Sequence, residues 1–510
     1  MTNKETIMRI KLFVLAALTL TVAGCDREGN RQGPLEGGVQ AGYVMSSVED
    51  AERMTVFDYD YYTMLTSGPY VYLPEIAADF FNPSIDYGNR NGAQYRWDWN
   101  SGDPFVDIWF DAYSAIRHAC LGIESIGGMD KSGFDEDEME RLDKCLGVFY
   151  FTKAYFGLRL LNYYCPIYNS GNKEKYGIVL IDSSDDDTDT FGGRSSVEKS
   201  YAWVKDNAEK AAGYLAAFEG KAGSEELTID VVRAFQARLA LEMGNYNEAI
   251  SLSMALVASN KYPLCENQTD MDSMWVNDSG KECILQLPAN ERDLQSNDPG
   301  YVGYKPSKGH YTPDWIVNKW VAKDLYASSD LRFATWFKKV KITVSLGTAS
   351  GIVIMDKFPG NPALSASKTA HLSKIKPFRI AEQYLIAAEA FARKGGADVI
   401  ACAYLDKLLE KRNPNHASLS LTGSELMEYI KDERAREFIG EGFRWNDLKR
   451  WGEGMQRPNP QLAAIIHTGG SNGPALSLSV APSDHRWVAP IPVDELVSNP
   501  QIRDQQNPGY

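Results

Sequence analysis

Residues 433–452, "ERAREFIGEGFRWNDLKRWG", bring acidic, basic and aromatic side chains close enough together for chemistry. Two of the carboxylates could serve as a general acid and a general base. However, each carboxylate in three predicted pairs has an arginine three positions away, and such a neighbour keeps a carboxylate ionised. This spacing favours structural ion pairs over a catalytic pair. The three pairs are Glu433 with Arg436, Glu441 with Arg444, and Asp447 with Arg450.

A second kind of chemistry is suggested by residues 87–103, "YGNRNGAQYRWDWNSGD", where aromatic and polar side chains alternate. Flat rings match the C–H face of a pyranose, while amide and charged groups bind its hydroxyls. If the segment is extended, Tyr95, Trp97 and Trp99 lie on one side of it, followed by Asn100. These four residues are therefore candidate sugar ligands. A strand that buries the three rings in the core explains the same pattern.

A Gly- and Pro-rich segment, residues 297–311, "NDPGYVGYKPSKGHY", supplies two further candidates. Tyr301 and Tyr304 stand in a predicted loop, where burial is less expected and where binding residues are common. We predict that these two rings also contact a ligand.

The sequence contains no recognisable metal or cofactor motif. Its histidines and cysteines are dispersed, without a Cys-x-x-Cys pair or a His-Glu-x-x-His helix. Asp185, Asp187 and Asp189 alternate as in a calcium loop, but the glycine and glutamate that such a loop requires are missing. A solvated acidic loop is the favoured interpretation, and we predict no metal and no cofactor. The six cysteines after Cys25 are expected to be buried free thiols.

The charge balance excludes a nucleic-acid partner. The formal net charge is −15 and the isoelectric point is near 5.0. Binding to phosphates requires a basic surface, which this chain does not offer.

The N-terminal segment has the pattern of a secretory signal. Basic residues precede the apolar run "LFVLAALTLTVAG", which is short for a membrane span and stops at Cys25. The tetrapeptide "VAGC" resembles the lipobox of bacterial lipoproteins, which implies that Cys25 carries the lipid. Several acyl chains on one residue anchor a protein stably. We predict a signal peptide at residues 1–24, and the lipidated cysteine with a flexible Gly-rich tether at residues 25–42.

Helical periodicity recurs through most of the remaining chain. Residues 228–264 contain two helical stretches around "MGNY", with alanines at positions of close helix approach, as in a tetratricopeptide (TPR) pair. Residues 379–412 have the same design around "KGGA". Ser195 and Glu198 have the spacing of a capping box and predict another helix start. Because one helix pair cannot bury its own apolar face, several pairs must stack.

These patterns predict a mostly α-helical, TPR-like scaffold with a few short strands and an irregular, loop-rich face. The loop-rich face comprises residues 43–104 and 264–312, which are rich in Tyr, Trp, Asn, Gly and Pro. We expect a single compact body, in which residues 43–262 form the N-terminal part and residues 263–510 the C-terminal part.

Several segments, in the same order along the chain, resemble the SusD/RagB family of Bacteroidota outer-membrane lipoproteins. The "ERAREFIGEGFRWNDLKRWG" stretch is similar to the family's C-terminal hallmark. Val179 departs from the family pattern, since it stands where a Gly-x-Pro-Leu stretch usually has proline. The other similar segments are "YGIVLIDSSDDDTDTFGGRSSVEKSYAWVKDNAEKAAGYL", "SSDLR", "KFPG", "RIAEQYLIAAEA" and "PIPVDELVSNPQIRDQQNPGY".

The resemblance implies four TPR-like helix pairs and a protein that is not an enzyme. It further implies a surface-exposed lipoprotein that captures oligosaccharides and delivers them to a SusC-like TonB-dependent transporter in the outer membrane. Family ligand residues lie in variable loops, so no ligand residue carries over by motif. Three alternatives remain open: a helical glycoside hydrolase with two carboxylates across a cleft, a peptide-binding member of the same family, and a TPR scaffold that binds only protein.

Overall fold

Residues Ser46–Tyr510 form one compact unit. The predicted signal peptide, Cys25, the whole tether region and the three alternating aspartates lie outside the described residues. Among the helices that are described, none is long and apolar enough to cross a membrane. The computed structural model describes residues 45–102, 104–184, 192–289, 297–305, 307–364, 371–466 and 479–510.

Helices dominate the described chain and confirm the prediction of a mostly α-helical fold. In chain order they are α1 (Val48–Leu65), α2 (Pro69–Ala77), α3 (Gly92–Arg96), α4 (Trp109–Gly127), α5 (Glu136–Tyr164), α6 (Val197–Tyr214), α7 (Ile229–Glu242), α8 (Tyr246–Ala258), α9 (Gln268–Val276), α10 (Lys319–Lys323), α11 (Leu331–Trp336), α12 (Ile380–Lys394), α13 (Asp398–Leu409), α14 (Gly423–Phe438), α15 (Arg444–Trp451) and α16 (Val493–Ser498).

The strands are short, apart from one hairpin. They are β1 (Phe81–Pro83), β2 (Cys283–Leu287), β3 (Tyr304–Lys305), β4 (His310–Tyr311), β5 (Trp315–Val317), β6 (Phe337–Val344), β7 (Gly347–Met355), β8 (Ile375–Arg379), β9 (Met455–Gln456) and β10 (Ser479–Val480).

One four-stranded sheet has the order β3-β4-β6-β7. Its hairpin β6-β7 is antiparallel, from the pair Phe337 and Met355 to the pair Val344 and Gly347. The ribbon β3-β4 joins this sheet because β4 runs parallel to β6. The remaining strands form two-stranded pairs, β1-β5, β2-β8 and β9-β10. These pairs and the sheet connect the helices.

The two predicted TPR-like units both form helix pairs. Helix α7 packs on α8, and α12 packs on α13, while α8 and α12 pack on each other across a small apolar cluster. Ala237, Ala249 and Ala390 are fully buried there, and their small side chains allow the helices to approach closely. The α12–α13 turn uses Gly395 and Gly396 at positive φ, +80° and +70°, which glycine adopts without strain.

The cap of α6 lies one residue after the predicted one. The side chain of Ser196, not of Ser195, accepts a hydrogen bond from the backbone N–H of Lys199 at 3.2 Å. The Ser195 backbone instead pairs with the loop before the helix, through the carbonyl of Ile178 at 2.8 Å. The helix is therefore present where it was predicted, but its N-cap is one residue later in the chain.

The last residues of the chain are bound into its first half. The Arg194 guanidinium donates to the Asn507 side chain at 2.9 Å and to the Gln505 carbonyl at 2.8 Å. The Asn507 amide donates in turn to the carbonyl of Tyr164 at 2.9 Å. This contact fixes the ends of α5 and of the loop before α6 against the C-terminal segment.

Candidate functional site

The first predicted sugar-binding segment is not extended. Residues Gly92–Arg96 form helix α3, and Trp97 follows it with a left-handed φ of +57°. Tyr95, Trp97 and Trp99 are only 0%, 1% and 5% exposed. The expected strand, with three rings along one side, is therefore wrong, and the alternative of core burial describes these residues.

The contacts of Trp97 and Trp99 explain their burial. The Trp97 indole N–H donates to the Ala77 carbonyl at 2.8 Å, and its ring lies 4.7 Å from that of Trp487 and 4.9 Å from that of Trp99. The Trp99 indole N–H donates to the Tyr510 hydroxyl at 3.1 Å. These aromatic contacts join distant parts of the chain, so neither ring presents a face on which a sugar could stack.

Tyr95 and Asn100 have different surroundings. The Tyr95 ring is covered by the guanidinium of Arg457, at 3.7 Å from the ring centre. Asn100 is exposed, and its side-chain oxygen accepts from the Gly102 N–H at 2.9 Å. Asn100 therefore remains accessible, but without the three rings as a platform beside it.

The two tyrosines predicted in the second segment differ in their exposure to solvent. Tyr301 is 1% exposed, stacks on Phe81 at 4.6 Å, and its burial raises the pKa of its hydroxyl well above the ordinary value. Tyr304 is 49% exposed. The expectation of an exposed Tyr301 is thus wrong, because the loop folds back onto β1, and Tyr304 alone stays at the surface.

Tyr304 lies beside Tyr311, which the sequence pattern did not predict as a ligand. In the ribbon β3-β4, Tyr304 lies opposite Tyr311, and their ring centres are 4.9 Å apart. Tyr311 is half-buried against the apolar side of the four-stranded sheet, which fixes its ring. We call this surface, made of Tyr304, Lys305, His310 and Tyr311, the tyrosine ridge.

The base of the ribbon is held in a conformation that only glycine permits. Gly303 has φ +57°, and a Cβ there would overlap the carbonyl oxygen of Thr312. Its own carbonyl accepts the Thr312 N–H at 2.9 Å. The geometry of the tyrosine ridge is therefore built into the backbone of the ribbon.

Charged and polar groups lie beside the tyrosine ridge. Arg90, with 59% of its side chain exposed, donates through Nε to Asp314 at 2.5 Å. Asp314 stands three residues beyond Tyr311, about 10 Å along an extended chain. Asp86 accepts the Ser345 N–H at 2.6 Å from the β6–β7 turn. The two predicted loop regions meet where Phe81 stacks on Tyr301, while Arg90 and Asp86 reach residues beyond the second region.

Tyr311 and Arg90 were missed because each occurs in a quoted segment without a distinguishing local pattern. Tyr311 becomes a neighbour of Tyr304 only when strands β3 and β4 pair. The glycine at 309, with φ +63°, was the available signal for that turn.

The charged stretch at residues 433–452 is a buried structural cluster. Glu437 is fully buried and accepts hydrogen bonds from Arg332, Arg379 and Arg412 at 2.7 to 3.1 Å. Burial alone would raise its pKa, but Arg412, Arg379 and Arg332 together hold the pKa of Glu437 well below its ordinary value. A carboxylate held ionised by three arginines is unsuited to donate a proton.

Two of the three predicted ion pairs are present. Glu433 binds Arg436 at 2.6 Å, and Asp447 binds Arg450 at 2.8 Å. Each pair lies within a single helix, the first in α14 and the second in α15, where residues three apart are neighbours.

The third predicted pair, Glu441 with Arg444, is wrong. Glu441 binds Lys357 at 2.6 Å, whereas Arg444 forms two bonds to Asp79 at 2.7 and 2.8 Å. Glu441 lies in the Gly-Glu-Gly corner between α14 and α15, and Arg444 begins α15, so helix spacing does not apply to them. Glu75 holds this corner by accepting the backbone N–H groups of residues 440 and 442, both at 2.9 Å.

In the part of the chain that the structure describes, no group of three or more His, Cys, Asp or Glu side chains is arranged to hold a metal ion. The six cysteines after Cys25 are all buried free thiols, as expected.

Comparison with known proteins agrees with the motifs. The model of the SusD family matches residues 327–510. The starch-binding protein SusD of Bacteroides thetaiotaomicron is 33% identical over 177 residues, which cover 34% of this chain and 28% of that protein. SusD-like protein P38 of Formosa agariphila is 23% identical over 394 residues, covering 69% of this chain and 73% of that protein. The chain thus aligns with little more than a quarter of SusD itself.

Solved structures share the fold over nearly the whole chain. A SusD superfamily protein from Bacteroides thetaiotaomicron has a TM-score of 0.75 at 21% identity, covering 91% of this chain and all of that one. The surface glycan-binding protein A of Bacteroides fluxus has a TM-score of 0.69 at 18% identity, with the same coverage. A laminarin-binding SusD-like protein has a TM-score of 0.64 at 18% identity, again covering 91% of this chain and all of that one. The match to the SusD family model thus covers residues 327–510, and the chain shares the fold of these solved structures.

Proposed function

We propose that this protein captures an oligosaccharide at the tyrosine ridge and does not cleave it. The observation that carries the proposal is the pairing of the exposed Tyr304 with the half-buried Tyr311, whose rings lie 4.9 Å apart on the ribbon. Two neighbouring rings offer apolar surface to consecutive sugar units, and Arg90 and Lys305 supply donors for hydroxyl oxygens. Two proteins with the same fold, a surface glycan-binding protein and a laminarin-binding protein, support this class of ligand.

Delivery is the second part of the proposal. The protein would be anchored in the outer membrane through Cys25, face the cell surface, and pass the glycan to a SusC-like TonB-dependent transporter. The match of residues 327–510 to the SusD family model and the lipobox-like "VAGC" support this assignment. A Cys25→Ala variant tests the anchor: it should leave the membrane fraction on cell lysis, whereas the unchanged protein should stay there. Equal retention of both would contradict it.

The tyrosine ridge is better suited to binding than to hydrolysis. A glycosidase needs one protonated and one ionised carboxyl group across the scissile bond. Asp314 is bound by Arg90 through two hydrogen bonds, and Asp86 accepts both the N–H and the hydroxyl of Ser345. Both carboxylates are thus engaged by donors of the protein itself, which suits a structural role better than a catalytic one.

The test is a glycan-panel binding assay on protein lacking residues 1–25, followed by calorimetric titration of the ligand found. Tyr304→Ala should weaken binding about tenfold, which corresponds to the loss of one stacking contact. Tyr176→Ala is a matched control, since Tyr176 is 47% exposed and lies away from the tyrosine ridge against Arg194. Both variants should unfold at the same temperature as the unchanged protein.

Three results would contradict the proposal. Equal loss of affinity in Tyr304→Ala and Tyr176→Ala would mean that the tyrosine ridge is not the site. Shorter sugars accumulating in the assay would reveal an enzyme. Binding of peptides but of no glycan in parallel titrations would assign the protein to the peptide-binding alternative.

A further inference from the structure

The described residues also enclose a central cleft that shares no residue with the tyrosine ridge. Its volume is ≈ 1370 Å³, including the space open to solvent. Helices α2, α5 and α7 from the first half of the chain line it, together with α12, α14 and α15 from the second half. A cleft between packed helices is a common location for a small-molecule site.

The lining of the central cleft combines apolar surface with a few polar groups. Leu158, Phe235 and Ile386 contribute apolar surface. Asn446 and Glu242 stand among them and are linked, because the Asn446 amide donates to Glu242 Oε1 at 3.3 Å. This combination suits a ligand that is itself part apolar and part hydroxylated.

Most fixed charges of the central cleft are matched within the protein. Arg238 forms two bonds of 2.7 Å to Glu382, and Arg434 binds Asp447 at 2.8 and 3.0 Å. Burial raises the pKa of Glu242 to about 7, so this carboxyl group readily carries a proton. Apart from Arg159, which donates to two backbone carbonyls at 3.1 and 3.4 Å, a charged ligand would find the charges of the cleft already paired, whereas a neutral ligand can still accept hydrogen bonds.

Buried donors in the lining have no acceptor among the described residues. The indole N–H groups of Trp445 and Trp275 and the Nη1 of Arg434 make no hydrogen bond with protein groups that are described. These side chains are 0%, 3% and 4% exposed, so each unused donor carries a cost that an acceptor oxygen would remove. Hydroxyl and ring oxygens of a sugar are such acceptors.

We propose that the central cleft is a second binding site, which takes one neutral sugar ring. It differs from the tyrosine ridge in kind, since a cleft surrounds a single unit while a ridge supports a chain of units. The two sites therefore recognise different parts or products of a glycan, and the second does not depend on the first.

The probes are the α- and β-methyl glycosides of glucose, galactose, mannose and xylose, titrated calorimetrically into protein lacking residues 1–25. Asn446→Leu keeps the side-chain size but removes the amide. If this variant unfolds, Glu242→Gln is used in its place, because it keeps the shape of the side chain. Asn247→Leu is the matched control, an exposed position on α8 outside the cleft. A crystal of the complex locates the bound glycoside.

At least one glycoside should bind saturably, with density in the central cleft. Asn446→Leu or Glu242→Gln should weaken it about tenfold, while Asn247→Leu and Tyr304→Ala leave it unchanged. The proposal is overturned if no glycoside binds, or if Tyr304→Ala abolishes binding and the cleft variants do not. Oligosaccharide binding by Asn446→Leu, measured in parallel, reports on the tyrosine ridge, so the two proposals can fail separately.

Discussion

Replacing Glu437 with glutamine would test whether the buried charge cluster stabilises the fold. The Glu437 carboxylate accepts four hydrogen bonds from Arg332, Arg379 and Arg412. Glutamine keeps the volume but removes the charge and turns an NH₂ group towards arginine donors. Removing one partner of a buried ion pair costs about 3 to 5 kcal/mol, because the remaining charge is left uncompensated.

The three arginines each keep another carboxylate, so the lower end of this range applies. We expect a loss of about 3 kcal/mol in the free energy of unfolding. The remaining pairs are Arg332 with Glu433 at 2.6 Å, Arg379 with Glu441 at 2.6 Å, and Arg412 with Glu282 at 2.8 Å.

Urea unfolding followed by circular dichroism measures this loss. With a denaturant slope of about 3 kcal/mol/M, the midpoint should fall by about 1 M. Glu428→Gln is the control, since Glu428 forms a similar ion pair with Lys431 but is 70% exposed. The control should change the free energy of unfolding by no more than about 0.5 kcal/mol.

The same pair of proteins should differ in acid. Because the arginines depress the pKa of Glu437 in the folded state, its contribution is complete above the unfolded-state pKa of about 4.3. The contribution is lost as the pH falls through the folded-state value. The stability difference between the unchanged protein and Glu437→Gln should therefore be full at about pH 7 and shrink below about pH 4. A difference under about 1 kcal/mol at neutral pH, or one that stays constant in acid, would refute the reasoning.

Three other substitutions test single contacts. Trp97→Ala should lower the free energy of unfolding by about 3 to 5 kcal/mol, measured in urea, because it leaves a cavity in the aromatic core. A loss near zero would contradict the burial of this ring. Gly303→Ala should cost about 1 to 3 kcal/mol because of its positive φ and the overlap with Thr312, and thermal unfolding that matches the unchanged protein would argue against the strained turn. Burial raises the pKa of Glu75 to about 7, so the folded state binds this proton more tightly than the unfolded state. The unchanged protein should thus lose up to about 3 kcal/mol relative to Glu75→Gln as the pH rises from about 4.5 to about 7, which urea titrations across that interval would detect; parallel pH profiles would count against it.

The helical scaffold could be predicted because its signals are local. The segments around "MGNY" and "KGGA" contain both the 3.6-residue apolar period and the turn glycine, and both became helix pairs. The cap of α6 was misplaced by one residue because Ser195 and Ser196 are equally able to cap. Only the pairing of the Ser195 backbone with Ile178 decides between them.

The candidate site depended on contacts that sequence spacing does not contain. A pattern of alternating rings fits a sugar-binding surface and a buried core equally well. Trp97 is buried by contact with Trp487, which is 390 positions away in the chain. Glu441 likewise prefers Lys357 over Arg444, although Lys357 is distant in the chain. Tyr304 was predicted at the surface and is exposed there. The Gly- and Pro-rich segment around it indicates a surface loop, and this signal is local in the sequence.

The attachment of the C-terminal segment to Arg194 has a consequence for how the protein is made. Contacts such as Asn507 with Arg194 and Tyr164, and Tyr510 with Trp99, separate partners by roughly 310 to 410 positions. A chain with many such contacts pays a large loop-closure entropy before the native contacts repay it, and it folds slowly. The packing around Tyr164 and Trp99 in the first half is therefore completed only when the C-terminal segment is in place.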